Sequence, residues 1–425
     1  MFDLRRPLHA LALGAFLIAG LGACRERLEG GAACPVLCPE QELEVRDTTL
    51  FPFAFPSPIA IDTTISGFPP LGSEFQLIIA RRGDSLQTAA IARFDTLSST
   101  IRVSPTDTSR RAITDIDSAG LLIQVGETPI ATSRVTIEVY DVDTTAADLN
   151  TEAIRVLFRP DRLLSSASFA QDSLTGTLRI PIPTAFLASR VTAGRRVRLG
   201  IGVRSATSVQ IRSLSSETGG PPVLRYLGRA VNDTQTVVAA TNSRGAVPGL
   251  ADYSIVLLSA QPPPALLVVG GLPASRVYLR FALPTDILDS TTIVRATLVL
   301  TQVPSPNVDA ADTIVVVSRL VRASRILDPD PGKASLLLAD LQTFFAPPVR
   351  LLSSGTGVRK FEIVNAVNRW KFEDPEELTR ALVLQAGDEG TSAHSATFYS
   401  SEAQDPALRP RLEITFIPVA GFGLP

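Results

Sequence analysis

The sequence predicts an all-β protein with two tandem antiparallel, jelly-roll-like β-sandwich domains. Apolar residues occupy alternate positions at 135–140, 197–203 and 412–416, the period that places them on one face of a strand. The 32 prolines and 28 glycines among 425 residues favour short strands joined by turns. Short motifs of the first half also recur in the second half. Half-buried strands of this kind are typical of sheets packed face to face, and the recurrence indicates two copies of that arrangement.

The N-terminal segment has the three zones of a secretory signal. Arg5 and Arg6 precede an apolar run over residues 8–21, and small residues then lead to Cys24. This run is shorter than the about 20 apolar residues that a membrane-spanning helix needs. Leu-Gly-Ala-Cys at 21–24 resembles the lipobox of bacterial lipoproteins, which implies cleavage before Cys24 and a diacylglycerol on its thiol. An ordinary cleaved signal and a retained helix are the alternatives.

A membrane is therefore the first expected partner. Residues 24–47 are polar and contain glycine and proline without a regular apolar period, which predicts a flexible tether. Two or three acyl chains on Cys24 would hold the chain on a membrane. In such lipoproteins, Arg25 in place of an aspartate implies transfer to the outer membrane.

The two remaining cysteines, Cys34 and Cys38, are expected to form a small local disulfide in an oxidising compartment. A metal site on this Cys-x-x-x-Cys spacing is the alternative, but it lacks further ligands, because the chain has two histidines and His9 leaves with the signal. We therefore expect no metal and no cofactor. The formal net charge of −2 gives no electrostatic argument for nucleic acid as a partner.

Internal comparison of the chain supports two domains. Ser-Ser-Glu at 215–217 recurs at 400–402, and Ala-Arg-Phe at 92–94 recurs as Leu-Arg-Phe at 279–281. The spacing between the two motifs is nearly the same in each half, as expected for a duplicated unit.

The predicted boundaries follow from this repeat and from the segment where Asn, Thr, Ser, Gly and Pro accumulate. The segments are a signal peptide (1–23), a tether (24–47), a first domain (48–228), a linker (229–249), a second domain (250–418) and a tail (419–425). Short connecting helices are predicted at 336–345 and 375–384, the second with Asp374 as its N-cap and Pro375 at its first position.

The second half resembles a known family. The segments that carry the resemblance are 276–281, 283–284, 293–300, 367–370 and 398–416. In this order and spacing they resemble the DNRLRE family, disaggregatase-related β-sandwich modules of secreted and surface proteins that are counted among carbohydrate-binding modules. The resemblance covers residues 255–418, and it implies a jelly-roll-like sandwich and polysaccharide binding without catalytic machinery. The first half departs from the pattern at 117–122 and has no tryptophan that matches Trp370.

Two glutamates stand out because each recurs with an arginine. Glu217 and Glu402 are predicted to form structural ion pairs with Arg93 and Arg280, because an arginine in mid-strand needs a partner when it is partly buried. A ligand-contacting or catalytic carboxylate is the alternative.

The candidate sugar-binding residues are aromatic. Trp370, the single tryptophan, is a possible stacking platform, with Tyr278 and Tyr399 as further candidates. A role for Trp370 in the core is the favoured interpretation, since five tyrosines and one tryptophan are a poor supply of platforms.

Two acidic segments offer oxygen ligands for calcium. Asp141, Asp143 and Asp148 follow one strand, and Asp328 and Asp330 lie in Asp-Pro-Asp-Pro-Gly. Neither has an EF-hand spacing, and ordinary turn chemistry explains both.

Nucleophilic catalysis is not expected. His394 is the histidine left after signal cleavage, and no Gly-x-Ser-x-Gly elbow accompanies it. Gly200-Ile201-Gly202 lies inside an alternating strand and is not a phosphate-binding loop. A glycosidase that uses two carboxylates stays open, because their separation is a three-dimensional property.

The expected function is that of an outer-membrane-anchored, non-catalytic binding module of the cell envelope, with polysaccharide or an envelope protein as its partner. A scaffold lipoprotein that makes protein contacts through a sheet edge or apolar patch is the alternative. A polysaccharide-degrading enzyme is the remote alternative.

Overall fold

The computed structural model describes residues 45–50, 62–95, 97–102, 109–127, 129–231, 233–240, 251–259, 265–281, 283–305, 311–321, 330–336, 338, 346–372 and 380–419. The predicted signal peptide, Cys24, the Cys34–Cys38 pair and Asp328 lie outside these residues. The same holds for residues 337 and 339–345 of one predicted helix, for Asp374 and residues 375–379 of the other, and for residues 420–425 of the tail. Val45–Pro425 form one unit of packed chain.

Strands dominate the part of the chain that is described. The strands before residue 250 are β1 (Arg46–Leu50), β2 (Asp62–Phe68), β3 (Gln76–Arg82), β4 (Leu86–Phe94), β5 (Thr100–Arg102), β6 (Arg110–Ala112), β7 (Asp115–Gln124), β8 (Ile130–Ala131), β9 (Val135–Asp141), β10 (Leu163–Phe169), β11 (Thr177–Pro181), β12 (Val197–Ser205), β13 (Val209–Leu214), β14 (Val223–Ala230) and β15 (Asp233–Ala240).

The later strands are β16 (Asp252–Ser259), β17 (Leu266–Gly270), β18 (Ala274–Arg280), β19 (Thr291–Val303), β20 (Thr313–Val321), β21 (Val349–Leu352), β22 (Gly357–Glu362), β23 (Ala381–Ala386), β24 (Ser395–Tyr399) and β25 (Arg411–Pro418). The described helices are α1 (Thr151–Arg155), α2 (Thr184–Thr192), α3 (Thr285–Asp289), α4 (Pro331–Leu336) and α5 (Val364–Phe372). None of them combines the length and the apolar character that a membrane crossing requires.

The first half is a β-sandwich. One sheet has the order β10-β9-β12-β4-β3-β13-β8, with β16 also paired to β4, and the other has the order β11-β7-β14-β15. The side chains buried between them come from both sheets and include Leu77, Ile79, Phe94, Leu121, Ile180 and Tyr226. All described strand pairs are antiparallel, which confirms the predicted all-β class.

The second half is built on one large sheet. Its order is β1-β25-β19-β24-β17-β18-β23-β20-β21, with β2 paired to β18 and β22 paired to β19. The apolar core of this half draws on strands along the whole order, from Leu412 in β25 to Val316 in β20 and Leu351 in β21. The sheet therefore curls around its own core. The 13-residue strand β19 pairs with three strands of this sheet, β22, β24 and β25.

Strand pairing differs from the predicted domain division in two ways. Residues 233–240 of the predicted linker form β15, which is hydrogen-bonded to β14. The halves also exchange strands. Strand β2 lies in the predicted first domain yet pairs with β18 of the second, and β16 lies in the predicted second domain yet pairs with β4 of the first. The division into two tandem domains stays a prediction, and the pairing crosses its boundaries.

The predicted alternation holds for some strands and fails for others. Side chains of β9 alternate regularly between buried and half-buried. In contrast, β12 is buried from Val197 to Val203, although its sequence predicts a half-buried strand. The second face is covered because Phe158 and Val142 lie directly over Gly200, next to a small apolar cluster that includes Ile154 of α1.

The helix predicted at 375–384 is wrong at residues 381–384, which belong to β23. This strand lies between β18 and β20 and all of its residues are buried. A strand covered on both faces lacks alternation, so its apolar run cannot be told from a helix by periodicity. The other predicted helix begins where α4 ends, at Leu336, and its described residue Leu338 forms an isolated bridge with Val321.

Candidate functional site

Arg93 pairs with aspartates and not with Glu217. Its Nη2 lies 2.9 Å from Asp95, and its Nη1 contacts Asp148. Arg198, its direct neighbour across β4 and β12, donates to the second oxygen of Asp148 at 2.6 Å. The two arginines and Asp148 are all buried, so this cluster holds the two strands and the loop after β9 together.

The repeated glutamates, Glu217 and Glu402, are both exposed. Arg93 pairs with Asp95 and Asp148 in place of Glu217. The predicted Arg93–Glu217 ion pair is therefore wrong, whereas the pairing of Arg280 with Glu402 stays a prediction. Both glutamates lie in turns, where Glu402 donates its backbone N–H to Ser400 Oγ at 3.1 Å.

The serine before each glutamate makes the contact that recurs. Ser216 donates its N–H and its hydroxyl to Asp252 at 2.9 and 2.6 Å. Ser401 makes the same two hydrogen bonds to Asp62, both at 2.5 Å. Each aspartate begins one of the exchanged strands, so the repeated motif fastens the strand that comes from the other half. The repeat itself was visible in the sequence, but its partners were not.

The aromatic candidates are largely internal. Trp370 lies in α5 and not on a strand, and it is 2% exposed within the core of the second half. Tyr278 is 5% exposed in β18, and Tyr399 is half-buried at the end of β24. Trp370 therefore packs as the core interpretation expects, and neither it nor Tyr278 presents a ring face for a sugar.

The acidic loop after β9 is occupied by arginines. The contacts are Asp141 with Arg162 (3.3 Å) and Arg190 (3.1 Å), Asp143 with Arg190 (3.0 Å) and Arg196 (3.0 Å), and Asp148 with Arg93 and Arg198. In the described part of the chain no group of three or more His, Cys, Asp or Glu side chains is arranged to hold a metal ion. These aspartates act in ion pairs.

His394 is half-buried between strands. Its Nδ1 lies 3.0 Å from the carbonyl oxygen of Thr313, and its Nε2 lies 3.3 Å from Asp312 Oδ1. Asp312 also lies 3.4 Å from Arg82 of the first half. The histidine therefore packs against an ion pair that joins the two halves.

A cavity with a volume of about 530 Å³ lies where the exchanged strands meet. Its walls come from β2 and the turn after it, from β3, β4 and β16, and from the ends of other segments. Lining residues include Phe68, Leu71, Ile78, Leu149, Val256 and Pro273. Leu149 is 72% exposed. The volume is in the range of small-molecule sites, which are also mainly apolar.

Glu74 is the carboxylate that lines this cavity from the turn before β3. The turn is closed by Ser73, whose N–H donates to the carbonyl of Pro70 at 3.0 Å. Glu74 is 6% exposed, and it accepts hydrogen bonds from the N–H groups of Gly72 (2.5 Å) and Ser254 (3.2 Å).

Burial raises the pKa of Glu74 to about 7, with the nearby Asp252 carboxylate acting in the same direction and the backbone hydrogen bonds opposing it. A group that titrates near neutral pH inside a cavity is a functional-site candidate.

Strands β3, β4 and β16 are held together beside Glu74 by side chains. Ser254 Oγ accepts the N–H of Ile78 at 2.9 Å. Thr88 Oγ1 accepts the N–H of Ala80 and donates to the carbonyl of Ile78, both at 2.9 Å. The polar wall is therefore satisfied internally, which leaves Glu74 as the titratable group of that wall. Sequence reasoning missed Glu74 because a single acid in a Pro-Pro-Leu-Gly turn carries no motif.

A second, polar hollow of about 350 Å³ lies on the outer face of the large sheet. It is lined by Asp47 and threonines of β1, Arg295 and Thr297 of β19, Lys360 of β22 and Glu413 of β25. Charged and hydroxyl groups of this kind form hydrogen bonds with polar ligands.

The comparisons with known proteins carry no functional argument. No family model matches the chain, and no curated protein matches it. Among solved structures, the subviral particle of infectious bursal disease virus VP2 is similar over 90% of this chain and 79% of that chain, with 9% sequence identity and a TM-score of 0.10. A likeness at that TM-score supports no inference about this chain.

Proposed function

We propose that this protein is a lipid-anchored, non-catalytic scaffold of the cell envelope that binds a protein partner along the edge strand β15. The observation that carries the proposal is that β15 ends its sheet and pairs with β14 alone among the described strands. A strand at the edge of a sheet is a template for an added strand. Val238 in β15 is 56% exposed, which offers an apolar contact beside that edge.

The buried aromatic side chains support the scaffold over the polysaccharide-binding alternative. Stacking on a sugar needs an accessible ring face, and Trp370 and Tyr278 pack inside the second half. The two Ser–Asp contacts also join both halves, and a scaffold needs such firmly connected halves to hold its partners in place.

A photo-crosslinking amino acid at position 238 tests the proposal in cells. We expect a discrete adduct with one protein, because a partner strand on the β15 edge would lie beside that side chain. The matched control is position 294, which is also exposed but lies in β19, a strand of a different sheet from β15. Equal labelling at both positions, or no adduct at 238, would contradict the proposal.

The polar hollow favours polysaccharide binding as a second candidate function, in agreement with the resemblance of the second half to DNRLRE modules. A glycan array with the purified chain tests it. Saturable binding that is lost in Lys360→Ala and kept in Lys333→Ala, a change outside the hollow, would favour this candidate over the scaffold.

The membrane anchor is tested separately by detergent partitioning. The native chain is expected in the detergent phase and the Cys24→Ser chain in the aqueous phase, because acyl chains on Cys24 supply the membrane affinity. Partitioning that does not change on this substitution would contradict the anchor.

A further inference from the structure

The cavity beside Glu74 combines apolar walls with negative charge. Two carboxylates, Glu74 and Asp330, line it, and none of its described lining residues is a lysine, arginine or histidine. Asp252 lies close enough to Glu74 to act on it electrostatically. The walls are otherwise formed by residues such as Leu71, Val256 and Pro273.

We propose that this cavity binds a small organic ammonium ion with a compact apolar body, and that Glu74 receives the ammonium group. This site is independent of the β15 edge and of any envelope partner. The occupant is a free amine of low molecular weight, because the cavity volume of about 530 Å³ is typical of small-molecule sites.

Charge complementarity selects a cation. Glu74 is nearly enclosed, and its described partners, Gly72 and Ser254, are neutral backbone N–H groups. An ammonium ion brings both a counter-charge and N–H donors to the remaining lone pairs of the carboxylate, and such charge-assisted hydrogen bonds are strong away from bulk water. A neutral ligand of the same shape offers only burial, and an anion meets repulsion.

Phe68, the aromatic residue among the described residues that line the cavity, has one ring face already covered by an arginine. The guanidinium of Arg276 lies 3.9 Å from the centroid of the Phe68 ring and is held by Glu389 at 2.6 Å. That ring face is therefore already used in a cation–π contact. Of the two carboxylates that line the cavity, Asp330 is exposed and Glu74 is buried, so we assign the ammonium group to Glu74.

A charge series of one shape tests the proposal on the native chain. The probes are 1-adamantylammonium, 1-adamantanol and 1-adamantanecarboxylate, titrated calorimetrically at pH 8, above the pKa of Glu74. We expect the ammonium ion to bind at least about tenfold more tightly than the alcohol, the ratio that about 1.4 kcal/mol produces, and the carboxylate to bind most weakly. Absence of ammonium binding, or equal affinity of the alcohol, would overturn the proposal.

The variant Glu74→Gln tests whether the carboxylate of Glu74 is the group that binds the ammonium ion. We expect it to lose the preference for ammonium over alcohol while the affinity for the alcohol changes little. The matched control is Glu217→Gln, an exposed glutamate outside the cavity, for which the preference should persist. A preference that survives in Glu74→Gln would sink the assignment of this residue.

A tryptophan reporter locates the ligand without relying on the Glu74 variant. Val256 is half-buried and lines the cavity, whereas Leu258, two residues further along β16, does not. Val256→Trp should change its fluorescence saturably on addition of 1-adamantylammonium, and Leu258→Trp should not. Equal responses, or none in Val256→Trp, would show that the ion does not occupy this cavity.

Discussion

Asp62 accepts two hydrogen bonds from Ser401, a residue 339 positions further along the chain, one from the backbone N–H and one from the hydroxyl. Asp252 receives the equivalent pair from Ser216. Each aspartate begins a strand, β2 or β16, that completes a sheet of the opposite half. The same short motif therefore fastens both exchanged strands. The two halves are joined by these hydrogen bonds and by strand pairing, in addition to the chain that connects them.

Loss of either Ser–Asp contact should destabilise the whole chain. Asp252→Ala and Asp62→Ala each remove two charge-assisted hydrogen bonds, and we expect each to lower the free energy of unfolding by about 2–3 kcal/mol. Asp84→Ala, at an exposed turn, serves as the control. Urea unfolding measures all three, and a neutral result for both Ser–Asp variants would disprove the fastening role.

Removal of the charge shared by the two buried arginines should be costly. Asp148→Asn leaves Arg198 without its carboxylate and Arg93 with Asp95 alone, and breaking a buried pair typically costs about 3–5 kcal/mol. The control Asp161→Asn alters the exposed Arg159–Asp161 pair, for which a change within about 0.5 kcal/mol is expected. Thermal unfolding of the two variants measures the difference. Similar melting temperatures would contradict a stabilising role for the buried cluster of Arg93, Arg198 and Asp148.

Substitution of the repeated glutamates should have little effect on stability. Glu217→Ala and Glu402→Ala each remove an exposed side chain, so we expect changes within about 0.5 kcal/mol. Thermal unfolding beside Asp148→Asn checks this. A melting temperature several degrees lower in either variant would contradict this expectation and support the ion pairs predicted from the sequence.

Stability should fall as the pH rises through the titration of Glu74. The folded-state pKa of about 7 lies above the ordinary value of 4.5, so between these pH values the folded chain binds more protons than the unfolded chain. The contribution of Glu74 protonation to the free energy of unfolding is fully present below pH 4.5 and is lost above pH 7, and it amounts to about 3 kcal/mol in total.

The comparison of Glu74→Gln with the native chain isolates this effect. The variant should be less stable at low pH, because an amide nitrogen cannot accept one of the two backbone hydrogen bonds, but its stability should vary less between pH 5 and pH 8. Urea unfolding across that range measures the difference. Parallel pH profiles would rule out a raised pKa at this carboxyl.

Two glycines of β12 provide a matched test of packing on its second face. A Cβ at Gly200 would lie 2.4 Å from Phe158 Cζ, whereas a Cβ at Gly202 would lie 3.6 Å from its nearest neighbour, Tyr140 Cε2. We expect Gly200→Ala to cost about 1–3 kcal/mol through overpacking. Gly202→Ala should be neutral or slightly stabilising. The opposite order in denaturant unfolding would contradict the packing of Phe158 over β12.

Local features of this protein can be derived from its sequence alone. The alternation at 135–140 predicts the strand β9 (Val135–Asp141), and the recurring Ser-Ser-Glu motif marks equivalent turns in both halves. These properties depend on neighbouring residues, since the period of two directly places side chains on opposite faces of a strand. The all-β class follows from them.

Contacts between residues that are distant in the sequence depend on the tertiary structure. Backbone hydrogen bonds between strands are alike whatever the sequence, so the pairing of β2 with β18 and of β16 with β4 depends on which sheet edge is available. The burial of β12 and β23 on both faces, and the choice of Asp148 over Glu217 by Arg93, follow from that arrangement. The cavity at Glu74 has the same origin, because its walls come from segments that are adjacent only after the two halves exchange strands.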